Sequence, residues 1–239
     1  MQLPSTASTA AFVVLVLCLA LALVAATWRA GRRLGEPTRI TLRWTLGALL
    51  LVAGWLALTF VLAARGTLAD FGATPPAIFR VVLPGLLLTT ALAFSPFGTR
   101  LVRGLSPAGM VGYQAFRIPV ELLLFTFLRE GVLPVQMTFE GMNFDVVSGA
   151  SALVLGLVAT RRSLPGWVYA AWNVVGLLLL ATIVTIAVLS MPTALRVFEN
   201  EPANRFVAEA PYVWLPTVLV TAALFGHLLV FRWLWRRRG

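Results

Sequence analysis

The chain reads as an all-α, polytopic membrane protein with seven transmembrane helices, its N-terminus outside and its C-terminus in the cytoplasm. Three observations predict this. Of its 239 residues, 59% are hydrophobic and only 12% charged, with a mean hydropathy of +0.90; soluble domains are about 25% charged. Apolar segments of roughly bilayer length recur at about 10–28, 44–64, 76–95, 107–128, 142–160, 166–190 and 211–235. The connections between them also alternate in arginine content. A single transmembrane domain over 1–239 accounts for all three.

The alternation sets the orientation. One set of connections and the tail hold Arg29, Arg32, Arg33, Arg39, Arg43, Arg100, Arg103, Arg161, Arg162, Arg232, Arg236, Arg237 and Arg238. The other set holds only Arg65, Arg129, Arg196 and Arg205, together with Asp70, Glu130, Glu140, Glu199, Glu201 and Glu209. Positive loops stay in the cytoplasm, so an odd number of spans follows independently of hydropathy. The formal charge of +10 would suggest nucleic acid in a soluble protein. Here every basic residue is Arg and most lie between apolar segments, so contact with anionic lipid headgroups on the cytoplasmic face is expected, and no nucleic-acid partner.

Taken in order, the first segment is followed by Arg29, Arg32 and Arg33 and preceded by no basic residue. A cleaved leader has the opposite order, so an uncleaved span is expected. Cys18 is the single cysteine, so no intrachain disulfide can form. Trp28, Trp44, Trp167, Trp233 and Trp235 fall at cytoplasmic ends, where an amphipathic ring suits the interface. The connection 131–141, GVLPVQMTFEG, mixes apolar and polar residues too evenly to be well solvated. It reads as an interfacial segment, with a lid dipping back into the bundle as the alternative. The connection 191–210 is long enough for a short surface helix. Thr138 and Asn143 are candidate N-caps for the fifth helix.

Segments three and seven share Leu-Pro followed by Thr-Ala (LPGLLLTTALAF from Leu83, LPTVLVTAALFG from Leu215). Segments one and five run into Ala-Thr before arginine, and segments two and six share an early Trp, Trp44 and Trp172. A parallel duplication, helices 1–3 and 5–7 about a linker helix 4, is one reading of this. It would put a central site at the interface of the halves.

The fourth segment carries the polar groups that need explanation. At 1.5 Å per residue, Arg117 lies roughly 15 Å into the bilayer, and Glu121 is one turn further. Each charge at that depth costs about 2.5–3.5 kcal/mol on insertion scales, so both need partners or a wet cavity. They are spaced to pair with each other, and Pro119 between them frees a backbone carbonyl and kinks the helix. Arg80, one turn into the third helix, and Asp145, one turn into the fifth, complete an expected cluster. Tyr113 shares a face with Arg117, and Gln114 with Glu121. The candidate binding residues are therefore Arg117, Glu121, Arg80, Asp145, Tyr113, Gln114 and Asn143. Pro119, Asn173 and His227 are candidates for gating or for a second, inner-facing gate; the plainer reading of Asn173 and His227 is a hydrogen bond between helices. A salt-bridge network that fixes helix register is the structural alternative for the whole cluster.

Some chemistry is excluded. With no Lys there is no retinal-type Schiff base, and one His with one Cys makes neither a thiolate–histidine metal cluster nor a bis-histidine haem site. No cofactor, metal site or catalytic residue is expected. Gly149-Ala150-Ser151-Ala152 with His227 resembles the Ser–His dyad of rhomboid-type intramembrane proteases, but Ala152 replaces the usual glycine and the Ala-His-x-x-Gly helix is missing. The small residues then serve close helix packing.

Phe116 to Glu121 together with Met137 to Asp145 resembles a family of bacterial multi-pass membrane proteins that carries no assigned activity. The resemblance covers about 35 residues and implies a bacterial inner-membrane location. The three-plus-one-plus-three layout is similar to that of SWEET sugar transporters, without their Pro-Gln signature. The expected function is binding or movement of a small polar or anionic solute, attracted by Arg117 and Arg80, with Glu121 or Asp145 as gate or proton carrier. The alternative is a sensor or assembly subunit that does not transport, in which the cluster is structural.

Overall fold

The computed structural model describes residues 2–237; Arg238, counted above with the tail arginines, lies outside the described residues. Among them the regular structure is entirely helical. In chain order the helices are α1 (Thr6–Arg33), α2 (Thr38–Ala64), α3 (Phe79–Phe94), α4 (Pro96–Gly104), α5 (Pro107–Gly112), α6 (Arg117–Arg129), α7 (Asp145–Arg161), α8 (Gly166–Leu189) and α9 (Val220–Arg236). All seven apolar segments are helical. Five helical runs are long and apolar enough to cross a membrane: α1, α2, residues 107–129, α8 and residues 215–236. The pair α3 and α4 makes a sixth if its 60° bend lies within one span. At 17 residues, α7 rises about 26 Å, a little under the roughly 30 Å hydrocarbon thickness.

The polarity is inverted relative to a soluble fold. Large apolar side chains such as Leu50, Leu87 and Leu178 point outward, while Arg117, Glu121, Gln114, Asn173 and His227 are buried. Two apolar clusters form the interior. One holds Phe12, Leu68, Phe127, Leu133, Phe206 and Tyr212 near the long connections; the other holds Ala30, Leu101, Met110, Ala152 and Leu229 toward the arginine-rich end. Along residues 107–129 the buried polar side chains fall between Val111 of the second cluster and Leu124 of the first.

Local chemistry sets the breaks. Ser95 ends α3 and caps α4, its Oγ accepting the amides of Phe97 and Gly98, with Pro96 at the first helical position. Arg232 of α9 donates to the carbonyls of Ala93 and Ser95 and to the Thr99 hydroxyl, so the freed end of α3 is satisfied from another helix. Residues Leu215–Leu219 form a π turn ahead of α9. Two indoles lock it to α2: Trp55 Nε1 donates to the Thr217 carbonyl at 3.0 Å and Trp214 Nε1 to the Leu56 carbonyl at 3.1 Å. α6 ends at Gly131 (φ +70°) with Val132 N–H bonded to Phe127 O and Gly131 N–H to Leu128 O, the paired bonds of a Schellman stop.

The connections depart from expectation. In the segment 131–141, expected to be interfacial, Val132, Leu133, Gln136, Met137 and Thr138 are buried within the end of the bundle. Its apolar residues pack on the first cluster, where an interfacial placement would leave them half wet. The connection 191–210 holds no surface α-helix among its residues; its regular structure is one 3₁₀ turn at Phe206–Ala208, buried. Gln136 Nε2 donates to Ser190 Oγ at 2.9 Å and Asn200 Nδ2 donates to Gln136 Oε1 at 3.0 Å, tying the two connections together.

Two arginines assigned to headgroups are instead internal. Arg100 is 5% exposed. It meets the Glu36 carboxylate through Nε at 2.9 and 3.0 Å and through Nη2 at 2.8 Å, and donates to Thr27 O at 2.7 Å. Arg232 is taken up at the α3–α4 bend. Arg29, Arg32, Arg33, Arg39, Arg43, Arg103, Arg161, Arg162, Arg236 and Arg237 are exposed as expected. Trp28, Trp167 and Trp235 are exposed, but Trp44 packs under Arg100 and on Phe97, and Trp233 packs on Tyr169.

Candidate functional site

The site begins with a break in the fourth segment. Between α5 and α6 the chain tightens to a 3₁₀ turn at Tyr113–Phe116, one turn before Pro119, whose ring cannot coexist with a regular i−4 bond. The turn delivers Arg117 to the first position of α6, 2% exposed. Each guanidinium nitrogen has a protein partner. Nε donates to Asp145 Oδ2 at 2.6 Å, and Nη2 completes the ion pair at Oδ1 with an angle outside hydrogen-bond geometry. Nη1 meets Ser148 Oγ at 2.6 Å, His227 Nε2 at 3.1 Å and the Gly176 carbonyl at 3.3 Å.

These contacts assign the histidine. An arginine only donates, so His227 Nε2 must present a lone pair and the proton sits on Nδ1. Nδ1 then donates to Asn173 Oδ1 at 2.8 Å, and Asn173 Nδ2 donates to the His227 carbonyl at 3.0 Å. The imidazole is neutral, and α6, α7, α8 and α9 meet at one guanidinium.

Glu121, one turn along α6, does not pair with Arg117. Both its oxygens accept from Asn143 Nδ2 at 2.8 Å, and the same nitrogen reaches Met137 O at 3.1 Å. Asn143 Oδ1 accepts the Asp145 amide at 3.1 Å, so one side chain orients Glu121 and starts α7. Neither expected N-cap holds that position: it is Phe144, with Asn143 one residue ahead of it and Thr138 donating its hydroxyl to Val135 O. A carboxylate has about four acceptor sites; Glu121 has this one amide donor. With Glu121 and Asp145 ionised, two negative charges face the one positive charge of Arg117. One negative charge is left over.

Arg117, Glu121 and Asp145 form the charged part of one wall of a chamber of about 100 Å³. The rest is almost wholly apolar, from Val82 and Leu86 of α3, Leu124 of α6, Leu180 and Ile183 of α8 and Leu219 of the π turn. Met137 and Asn204 line it from the two connections. A second cavity of about 120 Å³, between α1, α2, α3 and α9, is lined by apolar residues with Trp55, Thr217 and Tyr113.

The structure therefore brings together Arg117, Glu121, Asp145 and Asn143, while the other expected residues fall elsewhere. Arg80 is exposed in the first turn of α3 and makes no ion pair with Glu121 or Asp145, because the helix turns its long side chain outward there. The expected Arg117–Glu121 pair is replaced by Arg117–Asp145, since the neighbouring helix offers a fork-matched carboxylate. Asn173 and His227 hydrogen-bond between helices, the plainer of their two expected roles, and belong to the Arg117 network. Pro119 is exposed, facing α1 across a shallow outer groove with Ala11 and Cys18, and does not line the chamber. Gln114 is buried and donates to Ala223 O at 2.8 Å, and Tyr113 lines the second cavity, so neither meets the chamber. Ser151 hydrogen-bonds its own helix at Val147 O and accepts from Trp172 Nε1, which separates it from His227 and removes the protease dyad.

Ser148 and Asn204 were not foreseen. Ser148 was legible as the i+3 neighbour of Asp145 on one helix face; Asn204 sits in a connection without periodicity and gave no signal. The small residues work as expected: a side chain at Gly149 would strike Ile118, and one at Gly156 would strike Gly112, so α7 lies against α5 and the 3₁₀ turn. No protein-family model, curated protein sequence or solved structure matches the chain.

Proposed function

We propose that the chain is a seven-span membrane protein, N-terminus outside, that binds a small cation in the chamber in exchange for a proton on Glu121. The observation that carries this is the unbalanced charge. Arg117 and Asp145 satisfy each other, and Glu121 faces an apolar chamber with one amide donor. An isolated buried carboxylate is costly, so Glu121 holds either a proton or a cation, and the two exclude each other. The anionic solute suggested by the sequence fits less well, because Arg117 is already ion-paired to Asp145 and the Arg80 side chain is exposed and does not line the chamber. The charged or titratable groups around Glu121 are Arg117 on its own helix, Asp145 on α7 and, through Arg117, His227 on α9; α3 and α8 line the chamber with apolar residues only.

Seven spans with the arginine-rich end in the cytoplasm agree with helices on all seven segments and with the alternation of exposed arginines. A bacterial inner membrane rests on the family resemblance of the central segment. The two helix triplets pack differently, α2 chiefly on α1 but α8 on both α7 and α9, so the proposal does not use a duplication.

The test is thermal stability of the purified protein against small cations and small carboxylates at two pH values. A ligand that binds only the folded state stabilises it by about 2.7 kcal/mol at one hundred times Kd. Cations are expected to raise the midpoint, more at the higher pH, and Glu121→Gln should remove the shift. Stabilisation by carboxylates instead, or by cations in Glu121→Gln, refutes the proposal. The second reading, a sensor or assembly subunit, is favoured by the Arg117–Asp145 ion pair; a blank panel in which Glu121→Gln leaves the midpoint unchanged would select it.

A further inference from the structure

We infer that the chamber's cation is a short primary ammonium and that Asn204, from the connection 190–214, is its second anchor. This rests on the cation reading of Glu121 and deepens it.

Asn204 lines the same chamber as Glu121 and is fully buried. Its side chain is fixed by the end of α8. The backbone amide donates to Ser190 O at 2.9 Å and Nδ2 donates to Ala187 O at 2.9 Å. Both acceptors belong to the last turn of that helix and its cap, where carbonyls lack helical partners. Turning the amide over would set oxygen against oxygen, so the orientation is determined. Oδ1 is left buried without a partner. Buried acceptors are almost always satisfied, and this one belongs to a residue that shares the lining of a ligand-sized chamber with an underused carboxylate, so a donor from the occupant would complete both.

The occupant must then be positive, carry at least two donors and present an apolar remainder. An engineered apolar cavity of about 150 Å³ holds benzene; at about 100 Å³ this chamber holds an occupant of about four or five heavy atoms. A bare metal cation is a poor fit, since hard cations collect about six oxygens and the wall offers far fewer. A quaternary ammonium has charge but no N–H, and would leave Asn204 Oδ1 unmet. A primary ammonium has three N–H groups: one for Glu121, one for Asn204 and one to share, with its carbon chain against Leu124, Leu180 and Ile183. Binding would also fasten the connection 190–214 over the chamber, because Asn204 is held by α8 on one side and by the ligand on the other.

Calorimetric titration of the purified full chain with propylammonium, tetramethylammonium and potassium tests this. Wild type should bind propylammonium at least tenfold more tightly than the other two. Asn204→Leu or Asn204→Ala should weaken propylammonium about tenfold, the loss of one hydrogen bond to a charged group, and leave tetramethylammonium unchanged. Equal affinity for the two ammonium ions in wild type, or undiminished propylammonium binding in a folded Asn204 variant, overturns the inference. If Glu121→Gln still abolishes binding in that case, the cation site stands and only its primary-ammonium assignment falls. Absence of binding by all three cations overturns both. Should neither Asn204 variant fold, the wild-type ratio between the two ammonium ions decides.

Discussion

Among the described residues Arg117 and Asp145 are each other's only charged partners at hydrogen-bond distance, and both are buried. Removing one partner of such a pair strands the other and costs about 3–5 kcal/mol, whereas replacing both with apolar residues can be neutral. Arg117→Met is therefore expected to lower the thermal midpoint sharply, and Arg117→Met with Asp145→Leu to recover much of the loss. Additive losses in the double variant would show that the pair is not the unit. Asn143→Ala should destabilise by about 1–3 kcal/mol, since it leaves Glu121 and the Asp145 amide without their partner. Outside the helices, Glu130 accepts from Ser5 N–H at 3.0 Å and from the Ser5 and Ser8 hydroxyls at 2.7 Å, clasping the start of α1. Slight burial pushes its pKa up, but these hydrogen bonds outweigh it and hold the carboxyl below its ordinary value. A depressed carboxylate pKa stabilises above the unfolded value and stops doing so as pH falls through the folded one. Amide exchange near Ser5 should stay slow down to the ordinary carboxylate range and rise only below it. In Glu130→Gln it should be fast throughout; a slow rate there would remove Glu130 from the clasp.

The helices contribute through how closely they approach. Gly149 and Gly156 let α7 reach the backbone of the neighbouring segment at Ile118 and Gly112, and that closeness is what brings Asp145 and Ser148 within reach of Arg117. Overpacking a tight contact costs about 1–3 kcal/mol. Gly156→Val should fall in that range and also weaken cation binding, because it moves the helix that carries Asp145. An unchanged midpoint would mean that the two helices are free to part. The π turn at Leu215–Leu219 is tied to α2 by the indoles of Trp55 and Trp214. Such turns are frequent at functional sites, and this one lends Leu215, Pro216 and Leu219 to the chamber wall.

At the level of the whole molecule, the charge alternation makes a topology prediction. In a Cys18→Ser background, a cysteine at Glu201 should react with a membrane-impermeant maleimide in intact cells, and one at Arg161 only after lysis. The reverse labelling would invert the orientation, and labelling of both from outside would break the seven-span count.

Helicity and apolar length were legible because each depends on local sequence against a uniform solvent, lipid or water. The same logic marked Arg117, Glu121, Asp145 and Asn143, since ionisable or amide side chains inside apolar runs need an explanation wherever they occur. Partner choice was not local. Arg117 passes over Glu121, one turn away, for Asp145 at 28 residues' separation and His227 at 110. That selection depends on which helices lie in contact and on the glycines that let them. Arg80 shows the same limit from the other side: its depth along α3 was readable, but the face it occupies was set by packing. Arg100 and Arg232 looked like headgroup arginines until the folded chain supplied Glu36 and the open end of α3 as partners. The chamber and its Asn204 wall exist only once two irregular connections have folded over the helices, because no hydropathy period marks a residue whose burial comes entirely from distant parts of the chain.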